Sequence, residues 1–169
     1  MLVITKRTLG FTLTELMVTV SVASILLAVA VPSFHSLILD NRLSSQSAEF
    51  TGALAMARSE AGRRGSRVAV GPVASSFDGG WRIWVDSNGN TLPDLDETVL
   101  RIHEDLHGNT LASTGAAAPI IYLPSGFMDI SASTTRIFQL CDNRSNEKGR
   151  EIRINATGRV SINRDFICP

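Results

Sequence analysis

The stretch GFTLTELMVTVSVASILLAVAV, residues 10–31, decides how this chain is organised. From Phe11 onward it is apolar for roughly 21 residues, long enough for a helix to cross the hydrocarbon core of a bilayer. Immediately upstream, MLVITKRTLG carries the basic residues Lys6 and Arg7. A single ionisable residue, Glu15, interrupts the apolar run. Because a carboxylate is costly in hydrocarbon, Glu15 is a candidate functional residue.

The order of the basic and apolar segments separates three interpretations of this stretch. A secretory signal places its apolar segment before the cleavage site, whereas here Gly10 precedes it. A plain membrane anchor explains the length and the positive leader, but it does not explain Glu15. A glycine followed by F-T-L-T-E-L and an apolar run resembles the class III signal of type IV pilins and type II secretion pseudopilins. The resemblance implies cleavage after Gly10 by a prepilin peptidase, N-methylation of Phe11, and transfer of the helix from the inner membrane into a filament core.

Glu15 has a physical role to play if that cleavage occurs. The cut would free a positively charged α-amino group on Phe11, which an apolar filament core leaves without a partner. A carboxylate four residues further along lies on the same helix face, and the resemblance implies that Glu15 of a neighbouring subunit neutralises the amine. The other interpretation is an acid stabilised by the macrodipole at the helix N-terminus.

The helix is predicted to continue past the apolar run, over residues 11–63. Pro32 is expected to kink it without ending it, and Gly62 and Gly65 are stop signals. Apolar and small residues then recur at spacings of three and four, which predicts one buried face. That stripe consists of Leu43, Ser47, Phe50, Leu54, Ala57 and Ala61. Residues 11–31 are therefore expected to form the transmembrane and filament-core segment, and residues 32–63 an amphipathic spine.

After Arg67 the pattern changes to short β-branched and aromatic runs separated by Asn, Gly and Pro turns. Residues 112–118 are small and are predicted to form a loop, and WRIWVD alternates as a half-buried strand does. The predicted strands are 67–70, 81–85, 98–103, 120–123, 136–141, 151–155 and 159–162. The expected fold is therefore α+β, a long N-terminal helix followed by an antiparallel β domain over residues 64–169, with residues 1–10 as the leader.

Charge and cysteine content narrow the class of protein further. The 16 basic and 16 acidic residues cancel, which argues against a globally basic nucleic-acid binder. Acids dominate residues 78–105, and bases dominate residues 136–169. Two cysteines, Cys141 and Cys168, favour a disulfide if the domain lies in an oxidising compartment. Such a bond stabilises by about 3–4 kcal/mol in chain-entropy terms. A metal or catalytic thiol is the alternative, but no histidine cluster accompanies the cysteines.

Motifs along the β region carry a narrower resemblance. They are GW-x-I-W-V-D, an Asn-Gly-Asn turn, D-E-x-V-L-R, I-x-Y-x-P-S-G-F, F-x-L-C-D and the terminal I-N-A-T-G-R-V-S-I. Together they resemble the GspH/FimT family of minor pilins and pseudopilins, in particular its FimT- and FimU-like members. The resemblance implies a pilin fold, no enzymatic activity, and partners among other minor and major pilins and the prepilin peptidase. It also implies a single pass through the inner membrane with a periplasmic C-terminal domain, followed by incorporation into the pilus.

Three functions follow from that resemblance. The first is a minor type IV pilin in the tip or priming complex that supports pilus assembly. The second is capture of DNA during transformation, since FimT-like pilins of transformable bacteria are implicated in DNA binding through a G-R-x-R hairpin; Gly158 and Arg159 match it, but Ser161 stands at the second basic position. A solvated strand face with paired arginines is the simpler interpretation. The third is a type II secretion pseudopilin. The candidate DNA-binding residues are Lys148, Arg150, Arg153, Arg159 and Arg164.

One loop has the spacing of a calcium site. Oxygen-bearing side chains stand at positions 1, 3, 5, 9 and 12 of a twelve-residue stretch, as in an EF-hand loop. They are Asp86, Asn88, Asn90, Asp94 and Glu97. The sixth position is Thr91, where an EF-hand loop requires glycine, and strands are predicted on both sides. An acidic Asn-Gly turn between two strands is the alternative, and no other cofactor is expected.

Nothing in the sequence points to catalysis. His35, His103 and His107 are scattered, and there is no glycine-rich phosphate loop and no G-x-S-x-G motif. His103 and His107 are expected to be ordinary surface residues.

Overall fold

A long helix opens the chain. The computed structural model describes residues 10–115, 117–130, 135–144 and 146–169. In it, α1 spans Leu13–Arg64, and Pro32 lies inside the helix without ending it. The Thr12 hydroxyl accepts a hydrogen bond from the Glu15 amide at 3.3 Å, which caps the first turn as a Thr-x-x-Glu sequence does. At the other end Gly65 adopts φ 63°, the left-handed conformation that terminates helices.

Within the described residues, eight strands form two antiparallel sheets. One sheet has the order β3-β2-β1-β5 and the other the order β4-β6-β7-β8. The strands are β1 Val68–Pro72, β2 Trp81–Val85, β3 Val99–His103, β4 Thr110–Ser113, β5 Ile120–Tyr122, β6 Thr135–Cys141, β7 Arg150–Asn155 and β8 Val160–Asn163, and a short 3₁₀ turn, Phe77–Gly79, precedes β2. The predicted α+β class, a long helix followed by antiparallel sheet, is confirmed.

The prediction of a loop over residues 112–118 is wrong at its start. Thr110–Ser113 forms β4, in which Leu111 pairs with Leu140 of β6 and is 1% exposed. A single large apolar residue among small ones gives no alternation to read. Its burial depends on β6, which is distant in sequence, so local pattern does not reveal the strand.

The chain divides into two compact units, Met1–Asp40 and Asn41–Pro169. In the first, the described part is the N-terminal portion of α1, whose large apolar side chains are exposed from Leu13 to Ile38, whereas Leu39 is buried. In the second, the remainder of α1 packs on the sheets, and the predicted stripe is buried throughout. That stripe places Leu43, Ser47, Phe50, Leu54, Ala57 and Ala61 at 5% exposure or less.

Phe50 is the centre of the core of the second unit. Its ring lies 5.1 Å from that of Trp81 in the first sheet and 5.0 Å from that of Phe138 in the second. Phe77 of the 3₁₀ turn completes the cluster at 5.7 Å from Phe50. All three contacts are edge-to-face, the geometry that aromatic pairs favour. One side chain of α1 therefore joins the helix to both sheets.

β2 is more buried than its alternation predicts. Trp81 and Ile83 face α1, as expected, but Trp84 on the opposite face is also only 1% exposed. It packs with Ala69 and Ile121 in a second, smaller cluster. Thus the strand is buried on both faces, and the prediction of a half-buried strand is wrong for this reason.

Candidate functional sites

The predicted processing site lies just before α1. Gly10 and Phe11 precede the first helical residue and are exposed, Phe11 to 69%. A peptide bond outside regular structure is accessible to a peptidase, because no helical hydrogen bond has to be broken first. The described residues begin at Gly10, so the remaining leader residues, 1–9, lie outside them.

The apolar surface of α1 carries one charge. Between Phe11 and Phe34 the sole acidic or basic side chain is that of Glu15, which is exposed in the first helical turn. The large apolar side chains around it are each more than half exposed; they are Leu13, Leu16, Met17, Val18, Val20, Val22, Ile25, Leu26, Leu27, Val29 and Val31. By length and composition α1 is able to cross a membrane. The structure thus presents a single carboxylate on the segment of α1 up to Val31, which is predominantly apolar on every face.

The two cysteines form the predicted disulfide. Cys141 of β6 and Cys168 near the C-terminus are bonded across 27 positions of sequence, and the Cys168 amide donates to the Glu147 carbonyl at 3.0 Å. Next to the bond, burial alone would raise the pKa of the Asp142 carboxyl, but hydrogen bonds from Arg144 outweigh it and lower that pKa. The C-terminus is therefore fixed to the second sheet by a covalent link and its surrounding contacts.

In the candidate calcium loop, most of the predicted ligands are engaged with other protein groups. Asp86 is 1% exposed and pairs with Arg67 at 3.1 Å. Asp94 accepts the side-chain amides of Asn88 at 2.7 Å and Asn90 at 2.6 Å. The described residues hold no group of three or more His, Cys, Asp or Glu side chains arranged for a metal.

The backbone of this loop nevertheless has a left-handed residue at the position where an EF-hand loop has its glycine. Thr91, at the sixth position, has φ 66°, the left-handed conformation that glycine supplies there. Its amide lies 3.3 Å from the Asp86 carboxylate, and Glu97 accepts the Ser87 amide at 2.8 Å. The side-chain carboxylates thus serve as acceptors for the loop itself, which favours the acidic turn. Calcium binding stays a prediction.

The five candidate DNA-binding residues do not form one free patch. Lys148 pairs with Asp165 at 3.0 Å, and Arg153 pairs with Glu151 at 2.7 Å. Arg150 donates to the Ser44 hydroxyl of α1 at 3.1 Å. Arg159, in the β7–β8 turn, and Arg164 are exposed, and neither makes an ion pair with a residue that the structure describes. Two of the five are therefore available to an anionic ligand without first breaking a contact.

The histidines differ from one another. His35 is exposed, and His107 is exposed and lies 2.6 Å from Asp105. His103 is not an ordinary surface residue, so that prediction is wrong. Its ring stacks on Trp81 at 4.0 Å with an interplanar angle of 10°, and Nε2 lies 3.1 Å from Glu49 of α1. This makes His103 a structural contact between β3 and the helix.

A family model supplies the identification. The model of the type II transport protein GspH matches residues 46–158, which is more than half of the chain. The chain belongs to the GspH family. A second model, the prokaryotic N-terminal methylation motif, matches residues 5–31. No curated protein sequence matches this GspH-family chain significantly.

Two solved structures share the fold. Both are crystal structures of the type IV minor pilin FimU from Pseudomonas aeruginosa. In space group P21, FimU is 24% identical to this GspH-family chain, with a TM-score of 0.62, covering 73% of this chain and 90% of FimU. In space group P65 the values are 22%, 0.59, 71% and 91%. The pilin-like fold is thereby confirmed, and the methylation motif with its apolar helix fits a membrane-anchored pilin.

The structure also reveals residues that the sequence did not single out. Arg58 and Arg63 of α1 line a groove of about 500 Å³ that Arg159 borders from the β7–β8 turn. Helical periodicity predicts the buried stripe of α1 in this GspH-family protein, but it does not predict what the other faces of the helix contact. The sequence pointed to Arg159 in the β7–β8 hairpin, but it did not point to Arg58 and Arg63 of α1, which lie across the groove from it.

Proposed function

We propose that this protein is a minor type IV pilin that enters the pilus through the apolar part of α1, in the tip or priming complex. The observation that carries the proposal is the single carboxylate, Glu15, on the exposed apolar surface that follows the processing site. Family membership supports this role, because the chain matches both the GspH model and the N-terminal methylation motif.

The route into the filament follows from the N-terminal geometry. A prepilin peptidase cuts after Gly10, which lies outside α1, and Phe11 becomes the positively charged N-terminus. The apolar helix holds the protein in the inner membrane with its C-terminal domain in the periplasm. In the filament, Glu15 of a neighbouring subunit offsets that charge, since an unpaired amine in an apolar core costs several kcal/mol.

Substituting Glu15 tests this route directly. Glu15→Ala should leave leader cleavage and membrane insertion intact while abolishing incorporation, because the N-terminal amine loses its partner. Pili sheared from cells would be probed for the protein, with membranes from the same cells as the loading reference. Ser21→Ala, an exposed and uncharged site in the same segment, is the matched control. Normal incorporation of the Glu15 variant would refute the pairing.

DNA capture is a second candidate, supported by the two unpaired arginines, Arg159 and Arg164. Phosphate contacts of this kind are weak and lose affinity steeply as salt rises. The full chain in detergent micelles would be titrated against labelled duplex DNA by fluorescence anisotropy at low and physiological salt. Arg159→Ala with Arg164→Ala should abolish binding, and Arg153→Ala, whose arginine is already paired, should not.

A type II secretion pseudopilin is the third candidate, since the family model is that of GspH. Complementation separates it from the first. Restored piliation in a strain lacking its minor pilin supports the pilus role, and restored protein secretion in a strain lacking the pseudopilin supports the secretion role.

A further inference from the structure

The groove beside the β7–β8 turn is cationic. One wall is α1, which contributes Arg58 and Arg63; the other is formed by the Pro124–Gly126 turn and by Gly158, Arg159 and Val160. Three arginines line it, but Arg63 is ion-paired with Glu60, so its cationic character comes from Arg58 and Arg159. Ala55, Pro124 and Val160 supply apolar surface between them. A ligand that fits must therefore combine negative charge with a small apolar group.

Two glycine turns position Arg58 within this groove. Gly126 and Gly158 have φ of 77° and 74°, which side chains rarely adopt. A Cβ on Gly126 would lie 3.3 Å from Arg58 Nε, and a Cβ on Gly158 would lie 3.4 Å from the same atom. The Arg58 guanidinium also reaches the Gly158 carbonyl at 3.5 Å. The arginine is thus held in place before any ligand arrives, which lowers the entropic cost of binding.

The complementary chemistry exists elsewhere on the same unit. In the β2–β3 loop, Leu95 is fully exposed, and Asp96 beside it is exposed as well. The loop is held by its own hydrogen bonds, for example from the Asn90 amide to Asp94 at 2.6 Å. It therefore offers one apolar side chain followed by one carboxylate on a fixed turn. The exposed leucine would also gain free energy if it were buried against an apolar surface.

We propose that the Leu95–Asp96 tip of one copy of this chain docks in the cationic groove of a second copy. Leu95 covers the apolar surface of Ala55 and Val160, and the Asp96 carboxylate meets Arg58 and Arg159. Such a contact is heterologous, so each bound pair leaves one free tip and one free groove. It can therefore extend beyond two copies. The contact itself does not depend on the proposed role in a filament.

Photo-crosslinking of the full chain in detergent micelles tests the contact. With p-benzoylphenylalanine in place of Leu95, irradiation should yield dimers whose crosslinked peptides map to residues 51–63, 124–126 or 158–160. Asp96→Arg, at an exposed position that leaves the core untouched, should lower the dimer yield about tenfold. Arg101→Glu, an exposed arginine outside the groove, is the matched control and should leave the yield unchanged.

A charge exchange separates docking from misfolding. Arg159→Asp alone should lower the yield as Asp96→Arg does, and mixing the two variants should restore part of it, because the intact tip of the Arg159→Asp chain then meets the intact groove of the Asp96→Arg chain. Crosslinks to other surfaces, no dimers, or no recovery on mixing would overturn the proposal. Duplex DNA bound through Arg159 by a chain that gives no dimers would assign the groove to nucleic acid and overturn it too. Absence of the unsubstituted chain from sheared pili, with its dimers retained, would refute the proposed function alone.

Discussion

The two stretches of α1, residues 13–40 in the first unit and residues 41–64 in the second, differ in how far their apolar residues are exposed. In the first unit Phe34 is 64% exposed, whereas in the second Phe50 is 1% exposed, although both are phenylalanines of α1. Apolar character alone therefore does not identify a core residue. The surroundings decide: the second stretch is covered by the protein's own sheets, and the first is left exposed by the residues that the structure describes.

The sequence pattern of each stretch reflects this difference. The second stretch is amphipathic, with one buried face and polar residues elsewhere. The first is apolar all round, the composition of a helix whose neighbours come from outside the domain. Substitutions in the second stretch should therefore change folding stability, and those in the first should change insertion and assembly.

The largest contrast is expected for the two phenylalanines. Phe50→Ala removes the ring that contacts Phe77, Trp81 and Phe138, and should cost about 3–5 kcal/mol of folding free energy. Phe34→Ala should leave the unfolding of the C-terminal domain unchanged. Denaturant unfolding of the full chain in detergent micelles, followed by tryptophan fluorescence, measures both. Equal losses would erase the distinction between the two stretches.

A smaller effect is expected at Tyr122, which lies beneath the second stretch of α1. Burial raises its pKa to about 12, although nearby Arg58 acts in the opposite direction. The ordinary tyrosine pKa is about 10. The neutral phenol therefore stabilises the folded state below pH 10. This contribution to the folding free energy is lost as the pH rises to 12. The loss should reach about 2–3 kcal/mol.

The chain has one tyrosine, so phenolate absorbance reports this group alone. Arg58→Ala should move the titration to still higher pH, because it removes the positive charge that lowers the pKa. Tyr122→Phe should abolish both the titration and the alkaline loss. It should cost little at neutral pH, since the buried hydroxyl has no hydrogen-bond partner among the described residues. Titration near pH 10 with the fold intact would contradict the burial.

The contact between β3 and α1 should contribute less. His103→Ala removes a stacked ring and a hydrogen bond to Glu49, a loss of about 1–2 kcal/mol. Glu49→Ala should cost about 0.5 kcal/mol, because the pair is partly exposed. Adding Glu49→Ala to the His103 variant should have no further effect. His35→Ala, in the first stretch, is the control and should be silent; a loss there would mean that this stretch also supports the domain.

Local pattern was sufficient for the helix and for most strands. The three- and four-residue spacing located the buried stripe, and turn residues separated the strands. It failed where burial depends on distant partners. Leu111 has no local alternation, and Trp84 is buried by Ala69 and Ile121, which come from other strands. Such tertiary contacts override local preference.

The candidate sites divide in the same way. The processing site, Glu15 and the cysteines are read from linear motifs and from a count. The groove is not, because it needs Arg58 of the helix beside Arg159 of a hairpin. The sequence shows that basic residues dominate residues 136–169, but it does not show which of them are ion-paired. Arg153 is paired with Glu151, which alternation places on the same face of β7.

The smallest effect is expected in the β2–β3 loop, where sequence spacing and structure disagree. The spacing resembles that of a calcium site, but Asp86 is paired with Arg67, and Asp94 accepts two asparagine amides. A cation would have to displace these donors from the carboxylates before gaining any ligand. Millimolar Ca²⁺ followed by EGTA should therefore leave the melting temperature unchanged. A reversible rise that Asp94→Asn abolishes would show that the loop rearranges around the ion. The acidic turn would then resemble the first stretch of α1, because its exposed groups would be satisfied by a partner from outside the chain, here the calcium ion.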